Sequence, residues 1–151
     1  MFRGNHPAKI DDKGRLKLPA AFKQLVDLAG VTQFYVTSVE GDSAQVWPLP
    51  AWEKREQQLA GASEMDEAVQ KYLSMTSYYG QQVEMDSQAR ILVPQILRNA
   101  ASLDDQETVV IGMGQFVEVH NRKNFEARMT ANKLTSEDRA RLAELTRQKQ
   151  Q

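Results

Sequence analysis

The chain has 151 residues, of which 41% are hydrophobic and 26% charged, and its formal net charge is -1. This composition is typical of one soluble globular unit or two very small ones, and it argues against disorder throughout. The chain contains no cysteine, which excludes disulfides and thiolate metal sites. No apolar stretch has the length of a signal peptide or a membrane span, so we expect an intracellular, soluble protein.

The near-neutral average conceals a segregation of charge along the chain. Residues 1–26 hold six basic and two acidic side chains (+4), residues 27–110 hold five and thirteen (-8), and residues 111–151 hold eight and five (+3). A segregated field of this kind can steer an anionic partner toward one end of a protein. Ordinary surface charge is the alternative interpretation at this point.

Two stretches that lie 75 positions apart share one pattern, "DDKGRLKLP" at residues 11–19 and "DSQARILVP" at residues 86–94. Each has Asp, three residues, Arg, an alternating apolar run and Pro. Residues 22, 25 and 26 are matched at the same offset by residues 97, 100 and 101, with the i, i+3, i+4 spacing of a short helix. We expect each Pro at the first helical position, and each repeat to read strand, turn, strand, short helix, strand pair, helix start.

The first of these stretches predicts a tight hairpin. Asp11 and Gly14 fit a type I turn closed by a left-handed glycine. Such a loop predicts three cross-strand pairs, which are Ile10 with Leu16, Lys9 with Lys17, and Ala8 with Leu18. Strand alternation then sends four residues inward, which are Ala8, Ile10, Leu16 and Leu18. The outer face is predicted to carry Lys9, Asp11, Arg15 and Lys17, with Lys13 at the loop tip.

The predicted pairing of Lys9 with Lys17 is unfavourable by a few tenths of a kcal/mol to about 1 kcal/mol, because like charges face each other. Folding alone gives no reason for such a pair, whereas phosphates of a nucleic acid would neutralise it. Protection of an edge strand against aggregation is the alternative. In this arrangement Asp11 accepts backbone hydrogen bonds in the turn and presents Arg15 outward.

The second stretch keeps the apolar pattern of the first and loses most of its positive charge. Its inward set is Val83, Met85, Ile91 and Val93, and its outer set is Glu84, Asp86, Arg90 and Leu92. Gln88 lies at the tip, and Ala89 replaces the turn glycine at a cost of about 1 kcal/mol if the backbone is left-handed. We expect the first repeat to make most of the anion contacts and the second to serve packing and assembly.

Each repeat is too short, at under about 50 residues, to fold alone without disulfides or metal, which favours interleaving of the two into one barrel. Between them, Pro50 marks a helix start and residues 61–63 a break. Met65, Val69, Tyr72 and Leu73 form a helical stripe that is typical of core or subunit contact. The tail has a cap at Thr135 or Ser136 but a thin apolar face, Leu142 and Leu145, which favours a solvated end slightly over a docking helix.

Motifs for catalysis are missing from the sequence. There is no Gly-rich phosphate loop and no G-x-S-x-G elbow, and residues 112–114 fit a hairpin turn. His6 and His120 lack metal-type spacing to acidic partners. Two acidic pairs at residues 11–12 and 104–105 could hold a divalent cation in principle, but they fit turns and caps better. We therefore expect no enzyme, no catalytic residue, no metal and no cofactor.

Four segments, "MFRG", "DDKGRLKLP", "WPLPAWE" and "DSQARILVP", together resemble the MraZ family of bacterial transcriptional regulators, which are built from two tandem SpoVT-AbrB domains. The resemblance covers roughly residues 1–128. It implies an α+β, β-rich fold, a swapped-hairpin AbrB-like barrel formed by two pseudo-symmetric βαβ-type repeats with linker and C-terminal helices. The implied division is residues 5–52 for repeat 1, 53–80 for connecting helices, 81–124 for repeat 2 and 125–151 for a helical tail.

The resemblance also implies a function. Such proteins bind double-stranded DNA at short direct repeats upstream of their own division and cell wall gene cluster and repress it. They form ring-shaped homo-oligomers, in which several weak contacts add by avidity, and they associate with the nucleoid in the cytoplasm. We expect the same of this chain, without a membrane partner.

The Asp, three residues, Arg signature is the DNA-binding motif of the resembling family and falls on Asp11 with Arg15 and on Asp86 with Arg90. Arg15 is the best candidate to contact a guanine edge, since a guanidinium matches its O6 and N7 atoms. The full set of expected DNA-binding residues is Arg15, Lys13, Lys17, Lys9, Arg3 and Arg90. The turn-organising set is Asp11, Gly14 and Asp86.

Two other functions are compatible with the sequence. A protein-binding module of antitoxin or scaffold type could share the AbrB-like barrel and use its exposed helices for contact, because a fold alone does not fix function. A metal-dependent hydrolase that uses the Asp pairs is the third hypothesis. It requires one bound divalent ion per site.

Overall fold

The structure is a computed structural model that describes residues 1–62 and 65–149. Its strands are β1 (Asn5–Ala8), β2 (Arg15–Lys17), β3 (Gln33–Thr37), β4 (Ala44–Pro48), β5 (Gln81–Glu84), β6 (Arg90–Leu92), β7 (Thr108–Gly112) and β8 (Val117–Asn121). Its helices are α1 (Ala20–Leu28), α2 (Leu49–Ala60), α3 (Glu67–Tyr78), α4 (Gln95–Ala100), α5 (Arg122–Ala131) and α6 (Ser136–Lys149). This mixture confirms the predicted α+β class.

The strands form one six-stranded sheet, in the order β1-β7-β8-β4-β3-β5, and a separate two-stranded ribbon of β2 and β6. All pairings are antiparallel, unlike those of a parallel βαβ unit. The first strand of each repeat pairs with the long hairpin of the other, since β1 lies beside β7 and β5 beside β3. The repeats are therefore interleaved, but the sheet is open between β1 and β5 in the described residues, and the predicted barrel is not confirmed.

The two long hairpins have the same register. Val36 of β3 lies opposite Val46 of β4, and Val110 of β7 lies opposite Val119 of β8. All four valines are buried. Positions in β3 therefore correspond to positions 74 residues later in β7, and those in β4 to positions 73 later in β8. This correspondence allows the surroundings of the two repeats to be compared residue by residue.

The β2-β6 ribbon joins the two repeats at their turns. Leu16 lies opposite Ile91 at its centre, and both side chains are fully buried. The ribbon is extended symmetrically beyond the strands, because the amide of Leu18 donates to the carbonyl of Ala89 at 2.8 Å and that of Val93 to the carbonyl of Gly14 at 2.9 Å. A backbone carbonyl of each turn thus accepts a hydrogen bond from the segment that follows the other turn.

The predicted hairpin pairing is correct only next to the turn. Ile10 bridges Leu16 as expected, but Ala8 lies opposite Thr108 rather than Leu18. The predicted pair of Lys9 with Lys17 is wrong, since Lys17 lies opposite Arg90. The chain separates after one bridge because β1 joins the six-stranded sheet, while β2 buries Leu16 against the second repeat. A like-charge pair still crosses the ribbon, with Arg90 in the place expected for Lys9.

The predicted inward residues line the core. Six of them are buried, namely Ile10, Leu16, Leu18, Val83, Ile91 and Val93, while Ala8 and Met85 pack against that core as partly buried residues. In α1 and α4 the core residues are Phe22, Val26, Leu97 and Ala101, whereas Leu25 and Ala100 of the predicted apolar faces are exposed. Pro19 and Pro94 lie at the N-cap rather than the first helical position.

The linker helices begin as the sequence predicts, with Pro50 in the first turn of α2 and Gly61 as its C-cap. Ser63 of the predicted break lies outside the described residues. The predicted stripe on α3 does not form core in the single chain. Met65 is 90% exposed and Leu73 is also exposed, while Val69 and Tyr72 are half-buried.

The C-terminal helix α6 starts at a reciprocal cap. The Thr135 hydroxyl accepts from the amide of Asp138 at 3.0 Å, and the Asp138 carboxylate accepts from the amide of Thr135 at 2.9 Å. Every described residue of α6 is exposed, as expected of a solvated tail. Within residues 1–62 and 65–149, no helix combines the length and apolarity needed to cross a membrane.

Candidate nucleic-acid interface

The first turn is organised by the carboxylate of Asp11. One oxygen, Oδ1, accepts from the amides of Lys13 at 3.0 Å and Arg15 at 2.8 Å, and the other accepts from Arg15 Nε at 2.9 Å. The amide of Gly14 donates to the carbonyl of Asp11, and Gly14 has a φ of 80°. These contacts match the predicted type I turn with a left-handed fourth residue.

The second turn repeats this geometry atom for atom. Asp86 accepts from the amides of Gln88 and Arg90 at 2.9 Å each and from Arg90 Nε at 2.7 Å. Ala89, the residue matched to Gly14, is left-handed with a φ of 61° and is buried. The left-handed backbone considered for Ala89 is therefore the one observed, and the second turn is a strained copy of the first.

Hydrogen bonding lowers the pKa of both carboxyl groups. The backbone amide of Arg15 has the largest effect on the pKa of Asp11, and that of Arg90 on the pKa of Asp86, with further lowering by the Arg side chains. Both groups stay ionised at neutral pH, since their pKa lies below the ordinary value of 3.8. Each carboxylate therefore holds an Arg side chain in place through its Nε atom.

The two guanidinium groups are half-buried, and that of Arg15 lies near the second turn. Side-chain exposure is 26% for Arg15 and 28% for Arg90. Arg15 Nη1 lies 3.9 Å from a carboxylate oxygen of Asp86, which links the two turns. Because Nε makes the short bond to each Asp, the terminal Nη atoms are the part of each guanidinium left for a ligand. Such a pre-oriented fork suits bidentate contact with a planar acceptor pair.

The outer face of the ribbon is more basic at the first repeat. Strand alternation places Arg15 and Lys17 of β2 on the same face as Arg90 and Leu92 of β6, opposite the buried Leu16 and Ile91. The charges of the two Asp and two Arg residues cancel. In the described part of the chain, no carboxylate lies within 4.0 Å of the Lys13 or Lys17 ammonium, so these two side chains supply the excess positive charge.

The other two predicted phosphate ligands lie apart from the ribbon face. Lys9 is exposed and stands between the end of β1 and the Ile10 bridge, next to the ribbon but outside its pairing. Arg3 lies at the opposite end of β1, where Phe2 bridges Gly114 of the β7-β8 turn. At about 3.3 Å per strand residue, Arg3 and Lys9 are roughly 20 Å apart. The structure therefore brings Arg15, Lys17, Arg90 and Lys13 together, with Lys9 adjacent and Arg3 remote.

Arg98 was missed by the sequence analysis, although it supports the first turn. Its Nε donates to the carbonyl of Val93 at 2.9 Å, and Nη1 contacts both Asp104 oxygens at 2.9 and 3.0 Å. A Cβ on Gly14 would lie 2.7 Å from the Arg98 guanidinium carbon. Glycine at position 14 therefore avoids the strain of a left-handed side-chain residue and leaves room for this close approach. The repeat gave one usable signal, because the residue matched to Arg98 is also basic, Lys23.

Four of the residues considered for metal binding have other partners. Asp11 organises its turn, and Asp104 pairs with Arg98. His6 packs edge-on against Phe22 at 4.9 Å between ring centres. The buried His120 lies between Glu118, 3.1 Å from Nε2, and Arg128, 2.9 Å from Nδ1. Among the described residues, no group of three or more His, Cys, Asp or Glu side chains is arranged to hold a metal ion.

Fold and site together define an α+β protein of two interleaved repeats with a paired, Asp-organised basic turn at their junction. A family model described as "MraZ protein, putative antitoxin-like" matches residues 1–73 and 80–146. The chain belongs to the MraZ family.

Curated relatives agree with this assignment over nearly the whole chain. A protein of Acidobacterium capsulatum named "Transcriptional regulator MraZ" is 49% identical over 144 residues, which cover 95% of this chain and 98% of that protein. Proteins of the same name from Koribacter versatilis and Neisseria meningitidis are 42% and 32% identical. These matches cover 96% and 85% of this chain and 99% and 85% of the relatives.

Proposed function

We propose that the chain is a sequence-specific DNA-binding transcriptional regulator that binds short direct repeats in the promoter of its own division and cell wall gene cluster and represses it. In this proposal it is not an enzyme, and it acts in the cytoplasm in association with the nucleoid. The proposal is supported by the MraZ family membership and the names of the relatives. The single observation that supports DNA contact best is the fixed pair of guanidinium groups on the ribbon.

Base recognition is assigned to Arg15 and Arg90. Their Nε atoms are held by Asp11 and Asp86, so the terminal nitrogens are oriented before binding and little rotamer entropy is lost on contact. A guanidinium whose terminal nitrogens are not held by the Asp of its own turn matches the O6 and N7 acceptors of guanine in the major groove. A two-stranded ribbon is narrow enough to enter that groove.

Phosphate contacts are assigned to Lys13, Lys17 and Lys9, with Arg3 as an outlying contact. Lys17 faces Arg90 across the ribbon, and a nearby polyanion relieves the repulsion between these like charges. Leu92 and Gln88 occupy the matching positions of the second repeat, so the phosphate contacts fall mainly to the first repeat. Base contacts set the sequence that is recognised, and phosphate contacts set orientation and salt dependence.

The acting form in this proposal is a ring-shaped homo-oligomer. One chain offers a single small ribbon, whose affinity for one short site is modest. Several ribbons held at fixed spacing bind regularly spaced repeats together and gain about 10²- to 10⁴-fold in affinity when the geometry matches. The spacing of the repeats then becomes part of the specificity. Within each chain, we keep residues 5–52 and 81–124 as the two repeats, 53–80 as connecting helices and 125–151 as the tail.

Binding to the DNA upstream of the chain's own gene tests this proposal. Fluorescence anisotropy with a duplex that carries the tandem repeats is compared with a duplex in which the repeats are scrambled. Replacing Arg15→Ala is expected to weaken binding by about 1 to 3 kcal/mol, because a bidentate base contact is lost. Lys54→Ala, an exposed cation on α2 away from the ribbon, serves as the matched control. Equal binding of the two duplexes, or full affinity of the Arg15→Ala protein, contradicts the proposal.

A protein-binding module of antitoxin or scaffold type is the second candidate. The exposed α6, with Leu142 and Leu145 on its surface, is the observation that favours it. In this case truncation after residue 128 is expected to abolish capture of the partner. The intact chain is expected to show no repeat-specific DNA binding. The anisotropy experiment above therefore separates the two candidates.

A further inference from the structure

A groove of about 530 Å³ lies between the β1-β7 edge of the sheet and helix α5. Its floor is formed by Val109 and Ile111 of β7, and its α5 wall by Phe125 and Met129. Arg122 and Glu126 line the same wall and pair with each other at 3.0 Å. The groove is thus mainly apolar, with one charged pair at its rim.

The matching place in the first repeat is filled by helix α3. By the register of the hairpins, Val109 and Ile111 correspond to Tyr35 and Thr37, and Phe125 at the helix corresponds to Trp52. The hydroxyl groups of Tyr35 and Thr37 donate to the carbonyl of Thr76 in α3, at 2.9 and 2.7 Å.

Ring packing adds to the contact between α3 and the first repeat. Trp52 stacks against Tyr72 of α3 with 6.5 Å between ring centres, and the Arg55 guanidinium lies over the same Tyr ring. The first repeat therefore shows what kind of element such a groove accepts, which is a helix that packs against a hairpin strand and the preceding helix.

Helix α6 is the counterpart of α3 in the second repeat. Each follows the first helix after a long hairpin, α2 or α5, through a short linker, and each starts at a side-chain cap, Asp66 or Thr135. Yet α3 buries Thr76, whereas α6 buries nothing and leaves Leu142 and Leu145 52% and 41% exposed. The second repeat thus has an unfilled groove and an undocked helix at the same time.

The chemistry of the groove and of α6 is complementary. Tyr35 and Thr37, the hydroxyl donors of the first repeat, are replaced by Val109 and Ile111 in the second. These hydrocarbon side chains favour contact with leucine side chains over contact with a backbone carbonyl. Arg141 and Glu144 flank the two leucines of α6, and Glu126 and Arg122 stand at the rim of the groove. In one of the two possible directions of α6, opposite charges meet when the leucines enter the groove.

We propose that this groove binds helix α6 of a second copy of the chain. We choose a second copy because every described residue of α6 is exposed, so α6 does not fill the groove of its own chain in this structure. The contact is head to tail, since groove and helix are different surfaces, and such contacts close into rings when the rotation per subunit allows it. The inference rests on the homo-oligomer of the proposed function and names the surfaces that build it.

Pairs of engineered cysteines test the contact, because the native chain has none. Two single variants, Met129→Cys in the groove and Leu142→Cys on α6, are co-expressed and treated with a short bis-maleimide. A covalent dimer of one variant with the other is expected on a denaturing gel. The control pairs Met129→Cys with Ala140→Cys, which lies on the opposite side of α6. The first pair is expected to give about tenfold more dimer, because docking raises the effective concentration of the two groups.

The outcomes separate this inference from the proposed assembly. Light scattering gives the mass of the native protein. A monomer overturns both the homo-oligomer and the docking of α6 in the groove of a second copy, which we call the exchange. An oligomer in which the two pairs cross-link equally overturns the exchange and leaves the assembly standing. A chain carrying both Met129→Cys and Leu142→Cys that cross-links only within itself shows that α6 docks on its own groove, which also overturns the exchange.

Discussion

The two turns that meet at the ribbon have the same hydrogen bonds but different surroundings. In the first turn a glycine lies against the Arg98 guanidinium, and a Cβ at Gly14 would come within 2.7 Å of it. In the second turn the left-handed position is Ala89, and the residue matched to Arg98, Lys23, pairs with Asp27 at 2.5 Å instead. The comparison teaches that the Asp carboxylate organises the turn, whereas the glycine is needed for the arginine packed beneath it.

The turns also differ in charge. The first has Lys13 at its tip and Lys17 on the strand that follows, while the second has Gln88 and Leu92 at the matching positions. Both place an Arg in the same orientation. The repeats thus share the oriented Arg, to which the proposed function assigns base contact, and differ in the lysines, to which it assigns phosphate contact. Binding measurements can resolve this asymmetry.

The largest expected effect concerns Leu16 and Ile91, which lie opposite each other where the two repeats meet. Replacing either with Ala is expected to cost about 2 to 5 kcal/mol, because each fully buried side chain leaves a cavity at the centre of the ribbon. Urea unfolding followed by Trp fluorescence measures it, and both tryptophans, Trp47 and Trp52, lie in the first half of the chain. Ile91→Ala, a change in the second half, should therefore lower the urea midpoint that the tryptophans of the first half report.

The matched control for this measurement is Leu28→Ala. Leu28 is 87% exposed, so a change within about 0.5 kcal/mol is expected. Two separate unfolding transitions, with Ile91→Ala affecting only the one that the tryptophans do not report, would show that the repeats fold independently and would refute the shared core.

An exchange of the turn residues gives the next largest effect. Gly14→Ala is expected to cost about 1 to 2 kcal/mol from the left-handed backbone alone, and more because the new methyl group displaces Arg98. Ala89→Gly should change stability by no more than about 1 kcal/mol, because relief of backbone strain is offset by unfolded-chain entropy and a lost buried methyl group. Thermal unfolding of both variants measures the difference.

A double-mutant cycle of Gly14→Ala with Arg98→Ala isolates the contact beneath the first turn. The cost of Gly14→Ala is expected to fall when Arg98 is already truncated, since only the backbone term remains. Equal costs in the two backgrounds would mean that the close approach of Arg98 to Gly14 has no energetic consequence.

The charge asymmetry is tested by the salt dependence of DNA binding. Lys17→Ala is expected to lower the slope of log K against log salt by about 0.9 for each chain engaged, because one phosphate contact is lost. Leu92→Ala, the matched change in the second repeat, should leave the slope unchanged. Anisotropy titrations at several salt concentrations give both slopes, and similar losses for the two variants would contradict the assignment of phosphate contacts to the first repeat.

The smallest expected effect is a pH dependence of stability. The pKa of Asp11 is lower in the folded chain than its ordinary value of 3.8, mainly through the Arg15 amide. A group of this kind stabilises the fold fully above 3.8 and loses that contribution as the pH falls through the folded pKa. Asp11→Asn should therefore be less stable than the native chain at neutral pH, and the gap should close in acid.

Asp86→Asn should behave in the same way, since the pKa of Asp86 is lowered by the same contacts in the second turn. Unfolding midpoints measured from pH 7 down to about 3 give the two curves. A gap that stays constant over this range would show that the ionised carboxylate contributes nothing beyond the hydrogen bonds that Asn can also accept.

Much of the fold followed from the internal repeat. The Asp and Gly positions predicted the first turn, and alternation of apolar residues predicted the buried faces of both turn segments, because these features depend on local geometry. The pairing of Lys9 with Lys17 was wrong for a related reason. A local hairpin needs little loop closure, but the chain gains more by burying Leu16 against Ile91 and adding β1 to a strand 100 positions away.

The candidate site was predicted in residue type more than in arrangement. Arg15 and Arg90 were expected on the outer faces of two separate hairpins. The structure brings them onto one face of a shared ribbon. Arg98 was missed because its role depends on the packing of α4 under the first turn, which the basic residue at the matching position, Lys23, does not reveal. Arg3 shares the positive charge of the N-terminal segment, but the course of β1 carries it to the far end of the sheet.

The pairing of β1 with β7 has a consequence for synthesis on the ribosome. Asn5 is translated about a hundred codons before its partner, Ile111. Until then the nascent first half holds unpaired strand edges and an uncovered Leu16, which are features that promote aggregation. We expect this protein to acquire its fold only after β7 has left the ribosome, with chaperones shielding the first half in the meantime.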